Sequence, residues 1–361
     1  MNKNRSNRKA KMKRVLRRSC IARAVRETLC IPQHTWKSMA GLAAAGFITI
    51  SMPTLAAFPP IIELSTLDGR NGFVLNGVNA YDESGFSVSG AGDVNGDGIA
   101  DLLIGARSAG PNGNGSGASY VVFGRDTAAD GEFPTAIELS ALDGSNGCVL
   151  NGAFASAYFG TSVSNAGDLT GDGLADIVIG APGSGSPVVE SAGAAYVVFG
   201  RDTATDGDFP AVIELSALDG SNGFVLNGVN QDDRAGSSVS DAGDVNGDSI
   251  ADLLIGAQSA DANGLNSGAS YVVFGRDTAA DGDFPAAIEL SALDGSNGFT
   301  INGLDAWDGL GNSVSGAGDI NGDGVADVIL GADGAYSNGP FSGASYVVFG
   351  RDTASEGDFT A

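Results

Sequence analysis

The sequence has 361 residues, of which 43 are acidic and 19 are basic, and the two charges are unevenly distributed. Twelve of the basic residues lie within residues 3–37, so the rest of the chain has seven arginines, no lysine and 42 acidic residues. Such a negative field repels phosphate, which excludes nucleic acid as a partner. His34, Cys20 and Cys30 also lie in the basic segment. Downstream of it, the composition excludes Ser-His and Cys-His catalysis, His or Cys zinc sites and an intrachain disulfide.

Residues 1–56 are typical of an export signal with a long basic region. A mostly apolar run at 40–52 is too short to span a bilayer, and the small residues Thr54 and Ala56 follow it. We therefore predict cleavage after Ala56 and a mature chain of residues 57–361. Since no later run is long enough to cross a membrane, we expect no transmembrane segment in the mature chain. The expected location is secreted, extracellular or at the cell surface, or the periplasm in a Gram-negative host.

Four repeats of about 75 residues fill the mature chain. The segment YVVFGRD recurs with its arginine at 125, 201, 276 and 351, and an acidic loop recurs with its first aspartate at 93, 168, 244 and 319. Each unit opens with FPxxIELS, which gives approximate unit boundaries of 58–132, 133–208, 209–283 and 284–361. A fixed period of this kind indicates a repeat architecture.

The apolar runs within a unit are short, rich in Val, Ile, Phe and Tyr, and bounded by Gly, Asn and Asp, which predicts strands. Each unit is expected to form four antiparallel strands (FVLNG, FSVSGA, ADLLIG and YVVFG), with IEL as a fifth candidate. The predicted fold is all-β, a β-propeller with four blades in this chain. The copy of FPPIIELS at 58–65 could complete blade four, whereas the ending at 358–361 resembles a cut through a longer array. The sequence thus leaves open a closed ring of four blades and part of a larger ring.

The acidic loops carry the most specific chemical pattern. Side-chain oxygens recur at positions 1, 3, 5 and 9, and a backbone carbonyl is available at position 7, as a hard cation with six to eight oxygen ligands requires. The predicted metal ligands are Asp93, Asn95, Asp97, Ile99 and Asp101 in unit one; Asp168, Thr170, Asp172, Leu174 and Asp176 in unit two; Asp244, Asn246, Asp248, Ile250 and Asp252 in unit three; and Asp319, Asn321, Asp323, Val325 and Asp327 in unit four. Three carboxylates per loop favour Ca²⁺ over Mg²⁺, so we predict up to four Ca²⁺ sites. The alternative is a set of Asp- and Gly-rich turns that bind no metal.

Two loops depart from the common pattern. Unit two has Thr170 where the others have Asn, and unit three has Ser249 where the others have Gly. If position 6 requires a left-handed backbone, Ser249 costs roughly 1 to 2 kcal/mol. We therefore expect the third site to be the weakest.

Unit two carries the clearest family resemblance. Phe159-Gly160, the loop at 168–176 and Gly180-Ala181-Pro182 together resemble an FG-GAP repeat, the blade unit of the integrin α-chain propeller. The likeness covers all four units and is looser in the other three. It implies Ca²⁺ in the loops on one face, an extracellular ligand on the other, and a role in adhesion or recognition. Four similar repeats behind a basic leader look most like a bacterial secreted protein of this type.

Strand direction predicts where recognition takes place. The turn that enters FSVSGA and the turn between ADLLIGA and YVVFG both lie opposite the acidic loops, and these turns differ most between units. Variable loops on a constant scaffold are typical of binding surfaces. The candidate ligand-contact residues are Tyr81, Tyr158, Arg234 and Trp307, for an extracellular protein or glycan. Neutral drift in tolerant loops is the alternative.

Two other functional classes compete with recognition. One is a secreted hydrolase that depends on carboxylates, such as a glycosidase, although we find no isolated carboxylate pair outside the repeated loops. The other is a structural surface or matrix protein. We also predict that the arginines of the GRD segments form ion pairs with neighbouring aspartates, and that Cys148 is a small buried hydrophobic residue.

Overall fold

The computed structural model describes residues 61–185 and 191–359. The predicted export signal therefore lies outside the described residues. In the described residues the strands are β1 (Val74–Asn76), β2 (Ser84–Gly92), β3 (Asp101–Ala106), β4 (Ala118–Val122), β5 (Ala136–Glu138), β6 (Gly147–Asn151), β7 (Ser162–Gly167), β8 (Asp176–Ala181), β9 (Ala194–Val198), β10 (Val212–Glu214), β11 (Gly223–Asn227), β12 (Ser238–Gly243), β13 (Asp252–Ala257), β14 (Ala269–Val273), β15 (Ala287–Glu289), β16 (Gly298–Asn302), β17 (Ser313–Gly318), β18 (Asp327–Ala332) and β19 (Ala344–Val348).

Helical structure is limited to single turns. The α-helices are α1 (Thr127–Asp130), α2 (Thr203–Asp206), α3 (Thr278–Asp281) and α4 (Thr353–Glu356), and short 3-10 turns occupy Leu64–Thr66, Leu139–Ala141, Leu215–Ala217 and Leu290–Ala292. Each α-helix follows an Asp whose carboxylate accepts a hydrogen bond from a first-turn amide, as Asp126 does from Ala128. In the described ranges, none of these helices is long and apolar enough to cross a membrane. The predicted all-β class is confirmed.

Each complete sheet draws its strands from three successive repeats. β2, β3 and β4 come from unit one, β6 comes from unit two and β10 comes from unit three, in the order β10-β6-β4-β3-β2. β4 and β6 are antiparallel, with Tyr120 opposite Val149, whereas β10 is parallel to β6. The sheet β15-β11-β9-β8-β7 repeats this order one unit later.

The predicted strand content is right, but the predicted grouping by unit is wrong. FVLN completes the sheet of the preceding unit instead of joining the other strands of its own unit. IEL joins the sheet of the unit before that one. The four YVV copies are identical, and the FVLN copies differ only as CVLN in unit two and FTIN in unit four. A strand can therefore pair with a neighbouring repeat as well as with its own, and chain geometry decides between them.

The blades pack through their innermost strands, with β2 against β7, β7 against β12 and β12 against β17. Glycine permits this close approach, because a Cβ on Gly92 would lie 2.5 Å from the Cβ of Ala175 in the next blade. The central strands β8 and β13 are buried along their whole length. Apolar side chains of adjacent sheets form continuous cores, such as the cluster that contains Leu169, Phe224 and Ile255.

The two ends of the described array do not meet. β1 pairs with β5 alone, and β19 pairs with β18 alone. The segment 58–65 was the candidate strand to complete blade four. Its described part forms no strand, and Leu64–Thr66 is a 3-10 turn. Within the described residues, no strand pairing closes the row of blades into a ring.

Candidate functional site

Each acidic loop joins the FSVSGA-type strand of a unit to its ADLLIG-type strand, as β2 to β3 in unit one, and is organised by its own side chains. In the first loop, the carboxylate of Asp93 accepts hydrogen bonds from the amides of Gly96 (2.9 Å), Asp97 (3.1 Å) and Gly98 (2.8 Å). Asp97 accepts from the amide of Ile99 (2.8 Å) and from the side-chain amide of Asn95 (3.0 Å). The structure therefore brings positions 1, 3 and 5 around one turn, and it repeats this arrangement in the third and fourth loops.

The last aspartate of each loop is buried and bonded to backbone. Asp101 accepts from the amides of Val94 (2.9 Å) and Gly124 (2.8 Å), and Asp176, Asp252 and Asp327 make the equivalent pairs of bonds. Burial raises the pKa of Asp101 to about 6 and the pKa of Asp176 to about 8. The backbone hydrogen bonds act in the opposite direction, and the nearby acids of the same loop raise the pKa further.

The donor atoms of these loops suit a hard divalent cation in kind, since they are carboxylate, amide and carbonyl oxygens. Asp93 and Asp97 each accept loop hydrogen bonds, and a carboxylate has about four lone-pair sites for such bonds and for an ion. In the part of the chain that the structure describes, however, no group of three or more acidic, His or Cys side chains is arranged to hold a metal ion. The predicted ligand set at positions 1, 3, 5, 7 and 9 therefore stays a prediction.

Position 6 of the loops has a left-handed backbone in every copy. Its φ is 85° at Gly98, 91° at Gly173, 94° at Gly324 and 75° at Ser249. The left-handed backbone on which the predicted cost at Ser249 depends is therefore present. Ser249 still donates its amide to Asp244 (2.8 Å), as the glycine does in the first loop.

The residues that fix each acidic loop to the next repeat were not predicted from the sequence. The amide of Arg201 donates to the carbonyl of Val94 (2.8 Å), and Thr203 donates to the carbonyl of Asn95. Thr278 and Thr353 repeat this contact with Thr170 and Asn246. The signal was present, because all four units keep Thr two residues after the arginine of GRD.

The variable turns lie at the opposite end of the strands and are also joined across blades. The amide of Trp307 donates to Leu265 (2.8 Å) of the preceding repeat, and the amide of Tyr158 donates to Gly115 (3.0 Å). Tyr81, Tyr158, Arg234 and Trp307 are all exposed, Tyr81 to 93% and Trp307 to 55%. Their φ values are 71°, 54°, 58° and 72°, so each side chain extends from a left-handed residue. The structure thus brings the four candidates to one side of the array, each on the corresponding turn of its own blade.

A buried acid supports three of these turns and was not singled out from the sequence. Asp82, Asp233 and Asp308 each accept a hydrogen bond from the backbone amide three residues earlier. All three are at most 8% exposed. Burial is the main cause that raises the pKa of Asp233. An acid that is kept at one position of otherwise variable turns was the signal for this role.

A family model for the FG-GAP repeat matches residues 84–122, 159–198, 235–273 and 310–348. The chain is an FG-GAP repeat protein. The first matched segment coincides with β2, β3 and β4, and the others coincide with the same three strands of the later units. The FG-GAP repeat is thus the part of each sheet that comes from one unit.

Similar curated proteins include phosphatidylinositol-glycan-specific phospholipases D and integrin alpha chains. The chain is 32% identical over 188 residues to phosphatidylinositol-glycan-specific phospholipase D of Bos taurus, which covers 50% of the chain and 20% of that protein. It is 28% identical over 261 residues to integrin alpha-5 of Xenopus laevis, which covers 71% of the chain and 20% of that protein. A match of 31% identity to integrin alpha-4 of Xenopus laevis covers 46% of the chain and 14% of that protein. The FG-GAP chain spans at most about a fifth of the length of these relatives.

Three of the four GRD arginines of this FG-GAP protein, Arg125, Arg276 and Arg351, stack on aromatic rings instead of pairing with a neighbouring aspartate, and Arg201 donates to the backbone carbonyl of Asp206. The guanidinium of Arg276 lies 4.7 Å from the ring centroid of Phe284, and Arg351 lies 4.8 Å from Phe359. The ion pairs of the described residues are Arg70–Glu132 and Arg107–Glu83. In units one, three and four the arginine therefore joins the GRD segment to the phenylalanine eight residues later, a structural role.

Proposed function

We propose that this FG-GAP array is a calcium-stabilised extracellular recognition or adhesion module, which binds a protein or glycan through its variable turns. The observation that carries the proposal is the set of exposed Tyr, Arg and Trp side chains on left-handed residues of one face. A left-handed backbone at a residue other than Gly costs about 1 to 3 kcal/mol, and such residues cluster at binding sites. Aromatic residues and Arg are also the side chains most often found at the energetic centre of interfaces.

Rigid presentation supports the same proposal. The turns are bonded to the neighbouring blade through their backbone, as Tyr158 is to Gly115 and Trp307 is to Leu265. Their positions therefore depend little on their own side chains. A side chain held in place before binding loses less conformational entropy in the complex. The blades thus act as a scaffold on which the turn residues vary.

Calcium would act on the opposite face. The carboxylates of positions 1, 5 and 9, the side-chain oxygen of position 3 and the carbonyl of position 7 would hold it, and the ion would neutralise the repulsion between the acids of one loop. Because the acidic loops are bonded to the next repeat through Thr203, Thr278 and Thr353, an ordered loop also stabilises the joint between blades.

Adhesion or recognition is favoured over catalysis by the composition of the FG-GAP region, which contains no His and no Lys. The similarity to phospholipase D proteins covers about a fifth of those chains, and the match to integrin alpha-5 covers more of this chain. We therefore propose a non-catalytic module at the cell surface or outside the cell.

The test is binding to an array of matrix proteins and glycans with Ca²⁺ present. The variant Tyr81→Ala, Arg234→Ala, Trp307→Ala should keep its melting temperature and lose binding at least tenfold. The matched control Tyr81→Phe, Arg234→Lys, Trp307→Tyr keeps an aromatic ring at both aromatic positions and the positive charge at position 234, and it should retain most of the binding. Full binding by the alanine variant would exclude this face as the recognition surface.

A further inference from the structure

Two grooves of the same construction lie in the middle of the array, on the side of the acidic loops. The first has a volume of about 910 Å³ and the second of about 970 Å³. The first groove is lined by the acidic loop and GRD segment of unit two and by the FP and IEL segments of unit three. In the second groove, the equivalent positions one repeat later form the lining. The chain therefore builds the same concave surface twice from its repeats.

The base of each groove is apolar. Two phenylalanines and one isoleucine line each of them: Phe199, Phe209 and Ile213 in the first, and Phe274, Phe284 and Ile288 in the second. Phe209 and Phe284 are at most 8% exposed, so these rings form the bottom of the grooves. A ligand that enters a groove can therefore bury apolar surface against them.

The rim of each groove is acidic even without the acidic loop itself. Three acids outside the loops line each groove: Asp202, Asp206 and Glu214 in the first, and Asp277, Asp281 and Glu289 in the second. The single arginine of each groove is already engaged, because Arg201 donates to the carbonyl of Asp206 and Arg276 lies 4.7 Å from the ring centroid of Phe284. Asp206 and Asp281 are exposed. The excess of negative charge in a concave surface favours a cationic ligand.

A free strand edge lies beside each groove. β10 and β15 are the outermost strands of their five-stranded sheets, and Val212–Glu214 of β10 line the first groove. The carbonyl of Ala211 accepts a hydrogen bond from Val149 of β6. The backbone amide and carbonyl of Val212 therefore point away from β6, since successive residues of a strand alternate in direction. Both sheets are followed by another sheet of the array, so these free edges belong to its interior.

We propose that each groove binds an extended basic peptide, which adds as a further strand to β10 or β15. Strand addition supplies backbone hydrogen bonds to the free edge. Successive side chains of the added strand point to opposite sides. A peptide in which Lys or Arg alternates with apolar residues thus matches the acidic rim with one set of side chains and the apolar base with the other. This site is separate from the variable turns.

A fluorescein-labelled peptide of sequence KVKFKVK is the probe, and fluorescence anisotropy gives its dissociation constant. The charge variant Asp206→Asn, Asp281→Asn removes one exposed acid from each rim. Its matched control Asp232→Asn, Asp305→Asn removes the same charge from exposed acids of the variable turns. The strand variant Val212→Pro, Ala287→Pro removes an outward amide from each free edge, where proline is tolerated. Melting temperatures are measured first, to show that each variant folds.

The native protein should bind the peptide saturably, and the uncharged peptide QVQFQVQ should bind at least tenfold more weakly. We expect the charge variant to weaken binding of KVKFKVK at least threefold, the strand variant to weaken it at least tenfold, and the control to weaken it less than twofold. Equal losses in the charge variant and its control would indicate diffuse attraction by the net charge and would overturn the proposal. So would full binding by the folded strand variant, or no saturable binding by the native protein.

Discussion

The carbonyl oxygen of Asn95 accepts two hydrogen bonds from Thr203, one from its backbone amide and one from its hydroxyl, both at 3.0 Å. The two residues are 108 positions apart. Thr278 makes the same pair of bonds to Thr170, and Thr353 makes it to Asn246. An acidic loop of one repeat is thus attached to the single-turn helix of the next.

We expect Thr203→Val to destabilise the protein, because the change removes the hydroxyl bond and keeps the shape of the side chain. The free energy of unfolding should fall by about 1 kcal/mol, as is usual for one hydrogen bond. Urea unfolding measures this change. The matched control is Thr127→Val in the first repeat, where the exposed Thr127 covers no acidic loop in the described residues. Equal losses in the two variants would contradict the role of the hydroxyl.

Ser249→Gly should stabilise the third acidic loop. The φ of 75° at Ser249 lies in the left-handed region, where a residue with a Cβ costs about 1 to 2 kcal/mol. Part of this gain is offset by the larger entropy of Gly in the unfolded chain, so we expect a net gain of about 1 kcal/mol. The reverse change, Gly173→Ser, should destabilise the second loop by a similar amount, because the site has space for a side chain and only φ opposes it. If the chemical denaturation midpoints of both variants stayed unchanged, the turn would relax to avoid the cost, and the prediction would be wrong.

Removal of calcium should lower the melting temperature. Binding to the native state alone stabilises it by about 2.7 kcal/mol per site at a ligand concentration of 100 Kd, so several sites together shift the melt by many degrees. Calorimetric scans with excess Ca²⁺ and with EGTA measure the difference. Asp172→Ala should reduce the shift and the number of ions bound, whereas Asp208→Ala, at an exposed acid outside the loops, should not. Identical melts in Ca²⁺ and EGTA would exclude the calcium sites.

Cys148 should resist alkylation until the protein unfolds. The side chain is 1% exposed in a cluster with Leu103 and Phe123, and burial raises the pKa of its thiol to about 12. The thiolate is the reactive form, so both accessibility and ionisation protect this residue. Mass spectrometry of the peptide between Arg125 and Arg201 after iodoacetamide treatment should show modification only in guanidinium. Rapid modification of the native protein would contradict the buried position.

The repeat period, the strand content and the position of the turns followed from the sequence because each depends on local pattern. The register between repeats did not, because FVLN of one unit and FVLN of the next have the same pairing preference. The choice depends on how the turn before β6 directs the chain, which composition does not encode. The same limit applies to the GRD arginines. Asp directly follows each arginine in sequence, yet in Arg276 and Arg351 the fold places the ring of the phenylalanine eight residues later under the guanidinium.

At the acidic loops, the sequence predicted a ligand set, which stays a prediction. The structure shows hydrogen bonds that bring positions 1, 3 and 5 around one turn. It did not predict that Asp101 and its counterparts would be buried against backbone amides. Burial depends on the neighbouring strands, which come from other parts of the chain. Recognition of the supporting Asp82, Asp233 and Asp308 likewise required the folded turn.

The sharing of strands among three repeats has a consequence for how the array unfolds. In a stack of self-contained modules, each module melts on its own and the interfaces add modest coupling. Here, loss of one repeat removes a strand from the sheet before it and another from the sheet two repeats back. The intrinsic stability of a single repeat is thereby small and the nearest-neighbour coupling is large. We therefore expect one sharp cooperative transition across the whole array, and local damage in a central repeat to be felt by its neighbours on both sides.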